Sequence, residues 1–529
     1  MTHIIGLRRS VAMLALAGAP VLAAAPHVRV EQGLLAGIPA VDGSSVQRFL
    51  GIPYAAPPVG ALRWRAPRPA LGWPGIRMAT EFGARCIQPK LWDDMIFRAP
   101  GMGEDCLTLN VWTPARLSAR QKLPVLVYVY GGGFLAGGSS EPRYDGASMA
   151  ARGIVVVTMN YRLGAFGFLA HPELTAGSPH HASGNYGLLD QAAALQWVRR
   201  NIAAFGGDPA RITVGGESAG SMSVGSLMAS PLTRGLIAGA IAESGAPMGP
   251  VAPAALAEGE ARGRDFAGQA AGVDLAALRA LSPERVLELQ GKAAMRFGPV
   301  IDGYYLREQP SVTFAAGRQA RVPLLIGSNS QEQGYEVLLQ GQAPTVTNYR
   351  AMLTSRYGDQ ASTLARLYPA ASDAEVPRAV TALASDLFLG YATWKMFDLH
   401  RQGGAPTFYY YFSRIRPPVV GGSIDTPAPL GALHSAEIEY ALGNLETNPR
   451  YGWTADDRAV SRTMQGYFAN FVRTGNPNGT GLPAWRKADA GAAAGEGTLH
   501  RQHIDVRTRD VPLVEQQRYR TLEPLIRPR

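Results

Sequence analysis

The chain has 529 residues, 46% of them hydrophobic and 17% charged, with a formal charge of +10. That composition suits a folded protein with a large buried core and excludes disorder across the whole chain. The basic residues are scattered, with no Lys/Arg stripe interleaved with aromatics, so a solvated basic surface fits better than nucleic-acid binding.

Taken in chain order, residues 1–25 have the pattern of a signal peptide: Arg8 and Arg9 precede an apolar run from Val11 to Leu22, and Ala23, Ala24 and Ala25 offer a cleavage site. Gly18 and Pro20 interrupt the run, and it falls short of the ~20 residues of a bilayer span. The expectation is export to the periplasm or the medium, with a mature chain from residue 26 and no stable membrane insertion after cleavage. The paired arginines also fit a twin-arginine signal, although such a pair is an ordinary positive n-region. Cys86 and Cys106 are the only cysteines. In an exported chain, one pair at short separation suggests one disulfide, with two buried free thiols as the alternative. Zinc is disfavoured because the histidines show no ligand spacing beside the cysteines.

Further along, short β-branched and apolar runs alternate with amphipathic stretches, the pattern of an α/β fold. Residues 123–130, 154–159, 212–214, 240–243 and 324–327 read as buried strands. Leu188, Ala192, Leu195, Val198 and Ile202 recur at three- and four-residue spacing and predict a helix with one face on the sheet. Segment 253–296 is Ala-rich and helical in pattern, whereas Arg416, Pro417, Pro418, Gly421 and Gly422 mark a loop. Both read as insertions around one core, and a single catalytic domain over residues 26–529 is expected.

The chemistry is carried by Gly216-Glu217-Ser218-Ala219-Gly220, which lies directly after the strand ending at Val214 and before a helical run. A strand-to-helix turn presents a serine hydroxyl in strained backbone, and glycines on either side let neighbouring chain approach without a Cβ clash. The amides of the following helix favour developing negative charge. Acyl transfer also needs a base, a carboxylate to orient it, and donors for the oxyanion. Tyr130-Gly131-Gly132-Gly133-Phe134 follows the strand that begins at Leu123, and the backbone amides of Gly132, Gly133 and Ala219 are the candidate donors. A phosphate-binding turn is excluded because no Lys-Ser or Lys-Thr follows.

With these residues in place, the chain resembles the type-B carboxylesterase and cholinesterase family of the α/β-hydrolases. Phe49-Leu50-Gly51-Ile52-Pro53-Tyr54-Ala55 is similar to the family's N-terminal signature, and Glu104-Asp105-Cys106-Leu107-Thr108-Leu109-Asn110-Val111 to its second. Asn160-Tyr161-Arg162-Leu163-Gly164, Gly184-Asn185-Tyr186-Gly187, Phe205-Gly206-Gly207-Asp208-Pro209 and Thr474-Gly475-Asn476-Pro477-Asn478 resemble further family blocks in the same order. The resemblance implies a mostly parallel central sheet flanked by helices, with loop and helical insertions forming a gorge. It implies Glu332, in Gly327-Ser328-Asn329-Ser330-Gln331-Glu332, as the acid and His434, in His434-Ser435-Ala436-Glu437, as the base. Ser244, Glu217 and Glu437 take supporting places around that triad, and Cys86 with Cys106 resembles the family's first disulfide. The implied activity is hydrolysis of small-molecule carboxylic esters through an acyl-enzyme, without metal or organic cofactor. Nothing in the sequence assigns an oligomeric state.

Two positions depart from the family pattern. Gln333 stands between the expected acid and Gly334, which makes Glu336 a minor rival for the acid's role, and Tyr130 precedes the glycines where many bacterial esterases carry histidine. His180, His181, His400, His500 and His503 lack a supporting motif and read as solvated or structural. Trp92 either lines a gorge or packs. An adhesion protein that has lost its triad, and a lipase, lactonase, thioesterase or amidase on the same fold, are the rival readings. The intact Ser218, Glu332 and His434 argue against the first.

Overall fold

The computed structural model describes residues 25–40, 44–115, 121–270, 274–292, 297–421, 428–490 and 499–526. The expected leader lies outside them, apart from Ala25, as does Gly422. Among the described residues, ten strands form the central sheet. Numbered along the chain they are β1 (Val46–Pro53), β2 (Thr108–Pro114), β3 (Leu123–Val129), β4 (Val155–Met159), β5 (Gly207–Glu217), β6 (Gly239–Glu243), β7 (Leu324–Asn329), β8 (Thr407–Phe412), β9 (His500–Ile504) and β10 (Arg509–Pro512).

Their order across the sheet is β10-β9-β8-β7-β6-β5-β3-β4-β2-β1. β3 to β9 run parallel, whereas β1 and β2 at one edge and β10 at the other pair antiparallel with their neighbours. Every residue of β3 and β4 is buried, as expected of parallel strands covered by helices on both faces, and this is why they read as unbroken apolar runs. The five expected strands all form. β5 is longer than its apolar centre because Gly207, Asp208, Pro209, Ala210 and Arg211 also lie in the strand.

Helix α1 (Tyr186–Asn201) lays Leu188, Ala192, Leu195 and Val198 into the core. Ile202 is buried with them as expected, although it starts a tighter turn that Gly206 closes at φ 80°. Helix α2 (Ala219–Ala229) is buried along nearly its whole length. The hydroxyls of Ser223 and Ser226 fit there because each donates to the carbonyl four residues back, at 2.9 Å. The helical pattern of 253–296 resolves into Leu256–Gln269, Leu275–Ala280 and Pro283–Lys292. Asp274 caps the second of these through the Ala277 N–H, and a proline opens the third.

Cys86 and Cys106 are bridged, closing a loop with a sequence separation of 20. Restricting the unfolded chain over a loop of that length is worth about 3 kcal/mol. Replacing both cysteines by alanine is therefore expected to lower unfolding stability by that order, read as a shift in the urea midpoint. An unchanged midpoint would show that the loop is held without the bond.

Candidate active site

Ser218 sits where β5 turns into α2, with φ 57° and ψ −121°, a conformation that side chains other than glycine's resist. Its neighbours explain the motif. A Cβ on Gly216 would lie 2.7 Å from the Val129 carbonyl oxygen, and one on Gly220 would lie 2.1 Å from the same atom. Both glycines are needed because β3 passes directly under the turn. The Ser218 N–H donates to the Glu243 carbonyl at 2.9 Å, tying the turn to β6.

The structure brings His434 and Glu332 to this turn from 216 and 114 residues away in the chain. Glu332 follows the end of β7, and His434 lies in the loop between β8 and helix α3 (Ile438–Leu442). His434 Nε2 is 2.9 Å from Ser218 Oγ, and Nδ1 is 2.7 Å from Glu332 Oε2. An ionised carboxylate can only accept, so Nδ1 carries its hydrogen and a neutral ring leaves Nε2 free to accept from the serine. The other oxygen of Glu332 accepts from the Asn329 N–H at 2.6 Å. Glu336, the rival acid, begins a separate short helix with its carboxylate against Gly334.

Gly132 (φ 110°) and Gly133 (φ 64°) form the turn after β3, and their N–H groups donate to no other described residue. Ala219 supplies the first N–H of α2, which has no partner within the helix. A Cβ on Gly131 would lie 2.9 Å from the Ser218 Cβ. The turn therefore rests directly on the serine.

Three more carboxylates are buried around the site. Glu217 Oε1 accepts from Ser435 Oγ at 2.7 Å and lies 3.4 Å from His434 Nε2. Glu437 accepts from Ser244 Oγ at 3.0 Å and from the Asn329 side-chain amide. Glu243 accepts from the Tyr128 hydroxyl at 2.8 Å. Burial pushes all three above the ordinary carboxylate range, Glu437 to about 8, with Glu217 and Glu332 adding to the rise at Glu437. For His434, burial acts against the charged ring, but Glu217 first and then Glu332 outweigh it and raise the imidazole to about 9.

A pH dependence follows. Abstraction of the serine proton needs the neutral ring, so kcat/KM should climb with pH through the alkaline range. Glu217→Gln removes the largest charge that favours the imidazolium and is expected to move the rising limb to lower pH. A limb that stays in place would mean that Glu217 carries its proton in the free enzyme.

Several contacts lie beyond the reach of sequence patterns. The Phe388 ring, on a π-helical turn (Asp386–Gly390), meets His434 edge-on with ring centres 5.6 Å apart. Ser435 and Asn329 adjoin expected residues in the chain, which is the only signal that could have found them. Trp92 is 45% exposed and so does not pack in the core. His400 is buried between Val322 and Gln319, and burial lowers it to about 4. His500 pairs with Asp510, His503 with Ser413, and His180 stacks on Tyr304.

A mostly parallel sheet with a serine at a strand-to-helix turn, and with an imidazole and a carboxylate delivered beyond the strand ends, defines an α/β-hydrolase. Residues 24–509 match the carboxylesterase family, and the chain belongs to that family and is a carboxylic ester hydrolase. It is 40% identical over 467 residues to a fumonisin B1 esterase of Sphingopyxis macrogoltabida, covering 83% of this chain and 81% of the relative. A cocaine esterase of Oryctolagus cuniculus is 34% identical over 494 residues, covering 87% of this chain and 88% of the relative. The solved structure of a PNB esterase superposes with a TM-score of 0.77 at 32% identity, covering 93% of this chain and 99% of that one.

Proposed function

We propose that the chain is an exported serine esterase in which Ser218, His434 and Glu332 form the catalytic triad. The observation that carries the reading is the continuous run of contacts from Ser218 Oγ to His434 Nε2 at 2.9 Å and from Nδ1 to Glu332 at 2.7 Å. His434 takes the Ser218 proton as Oγ attacks the ester carbonyl carbon. The N–H groups of Gly132, Gly133 and Ala219 hold the oxyanion. The carbon–oxygen bond to the alcohol breaks and the alcohol leaves with the proton from His434. Water, deprotonated by the same imidazole, then releases the acid and restores the serine. Glu332 orients and stabilises the imidazolium, while Glu217, Ser244 and Glu437 hold the surrounding loops.

Residues from 26 onward act as one catalytic unit, which the sheet supports by drawing strands from Val46 to Pro512. Export after removal of residues 1–25 is supported by the leader pattern and by the Cys86–Cys106 bridge, since disulfides persist in oxidising compartments. The substrates are small-molecule esters, and the names of the relatives make fumonisin B1 and cocaine two to test. An organophosphonate probe should label one peptide, that containing Ser218, and fail to label His434→Gln. Hydrolysis of 4-nitrophenyl esters of graded acyl length should show an initial burst of nitrophenol equal to the enzyme present. Labelling at another residue would overturn the assignment.

A further inference from the structure

The loop closed by the disulfide forms the outer wall of the glycine turn that faces Ser218. Three of its side chains reach that turn. The Met95 methyl group lies 3.0 Å from where a Cβ on Gly132 would stand, and the Phe97 ring lies 3.2 Å from the same point on Gly138. Gln88, two residues from Cys86 and 5% exposed, makes the polar contact. Its Oε1 accepts from the Gly137 N–H at 2.9 Å, and its Nε2 donates to the Gly137 carbonyl at 2.8 Å and to the Cys86 carbonyl at 3.0 Å.

The turn has no slack to absorb a loss of these bonds. The N–H groups of Leu135 and Ala136 both donate to the Gly132 carbonyl, at 3.0 and 3.1 Å, so residues 132–136 form one closed unit. At Gly137 (φ 123°) even a Cβ would lie 2.5 Å from the Tyr130 ring and 2.6 Å from the Gly131 carbonyl. At its inner end the unit bears on the Ser218 Cβ through Gly131. At its outer end the tie to the disulfide-closed loop is one primary amide that pairs with both backbone polar groups of Gly137. Only a side chain carrying a donor and an acceptor side by side, of this length, can make that pairing.

We propose that Gln88 is a positioning residue for the oxyanion donors, and that the disulfide is coupled to turnover through it. The inference rests on the assignment of Ser218 and the Gly132–Gly133 turn made above. The bond between Cys86 and Cys106 fixes the base of the loop, Gln88 transfers that constraint to Gly137, and the closed turn carries it to the amides beside the serine. The expected signature is a fall in kcat rather than in substrate binding, because the amides meet the full negative charge only in the transition state.

The test is a cycle on the full-length protein with Gln88→Met, Cys86→Ala/Cys106→Ala and the combination, assayed on 4-nitrophenyl butyrate. Gln88→Met should lower kcat about ten- to a hundredfold with KM within about twofold, the range for displacing a reacting geometry. Affinity for a trifluoromethyl ketone, which forms the oxyanion adduct, should fall in proportion to kcat. Affinity for the parent methyl ketone should hold. Removing the cysteines should lower kcat in the presence of Gln88 and lower it no further in Gln88→Met. Gln88→Glu keeps the acceptor for the Gly137 N–H and loses the donor. Its second oxygen then faces the Gly137 and Cys86 carbonyls as an unpaired acceptor, so kcat should fall at least as far as in Gln88→Met, and it serves as the test if Gln88→Met does not fold. Wild-type kcat in Gln88→Met, additive losses in the cycle, or equal weakening of both ketones would overturn the proposal. A Ser218→Ala variant that retained activity would instead sink the assignment of the site, so the two failures are distinct.

Discussion

Ser218→Ala is expected to lower kcat on 4-nitrophenyl esters about a millionfold, the scale of losing a triad nucleophile, and to leave the unfolding midpoint at or above the wild-type value. Ser218 Oγ, the proposed nucleophile, lies 2.9 Å from His434 Nε2. The proposed donors at Gly132, Gly133 and Ala219 remain, so a residual rate above that in water is expected. His434→Gln should cost a similar factor, and the double variant little more, because the two groups act as a unit. Initial rates with purified variants decide this. A Ser218→Ala enzyme within about tenfold of wild type would mean that another nucleophile carries the reaction.

Gly132→Ala is the second large effect. The added Cβ would stand 2.1 Å from the Ala136 carbonyl oxygen, a backbone atom, and the φ of 110° is one that alanine resists. The turn must open, and the N–H groups of residues 132 and 133 then leave the position proposed for the oxyanion. Loss of a single such donor costs about a hundred- to a thousandfold in kcat, and both move together here. Gly133→Ala is a control, since a Cβ there meets nothing within 4 Å and only its φ of 64° is strained. It should lose less. Equal losses at the two positions would assign the effect to backbone preference rather than to the clash.

What the sequence made legible was whatever is contiguous. The apolar strands, the helix carrying Leu188 and Leu195, and the motif around Ser218 are local patterns, each set by a few neighbouring residues. Glu332 and His434 lie far from Ser218 in the chain, and no spacing rule connects them, so only family resemblance pointed to these two as the proposed acid and base. Contacts that run sideways through space left no trace in the sequence. Nothing in the residues around Gln88 points to Gly137, and nothing in the run from Asp386 to Gly390 announces a π turn that sets a phenyl edge against His434. Ends of elements were blurred where polar residues join a strand, as Asp208 and Arg211 do in β5, where they fill the irregular stretch between the pairs that Gly207 and Ile212 make with β3.

Phe134, Ser218, Ser244 and Ser435 all hold positive φ, at 61°, 57°, 53° and 66°. Each such residue costs of order 1–3 kcal/mol, which the rest of the fold must offset. Glycine at any of them would relax the chain. A campaign that evolved this protein for heat resistance alone, without scoring turnover, would therefore drift toward sturdy but inert variants, with Ser218→Gly among the first to be enriched.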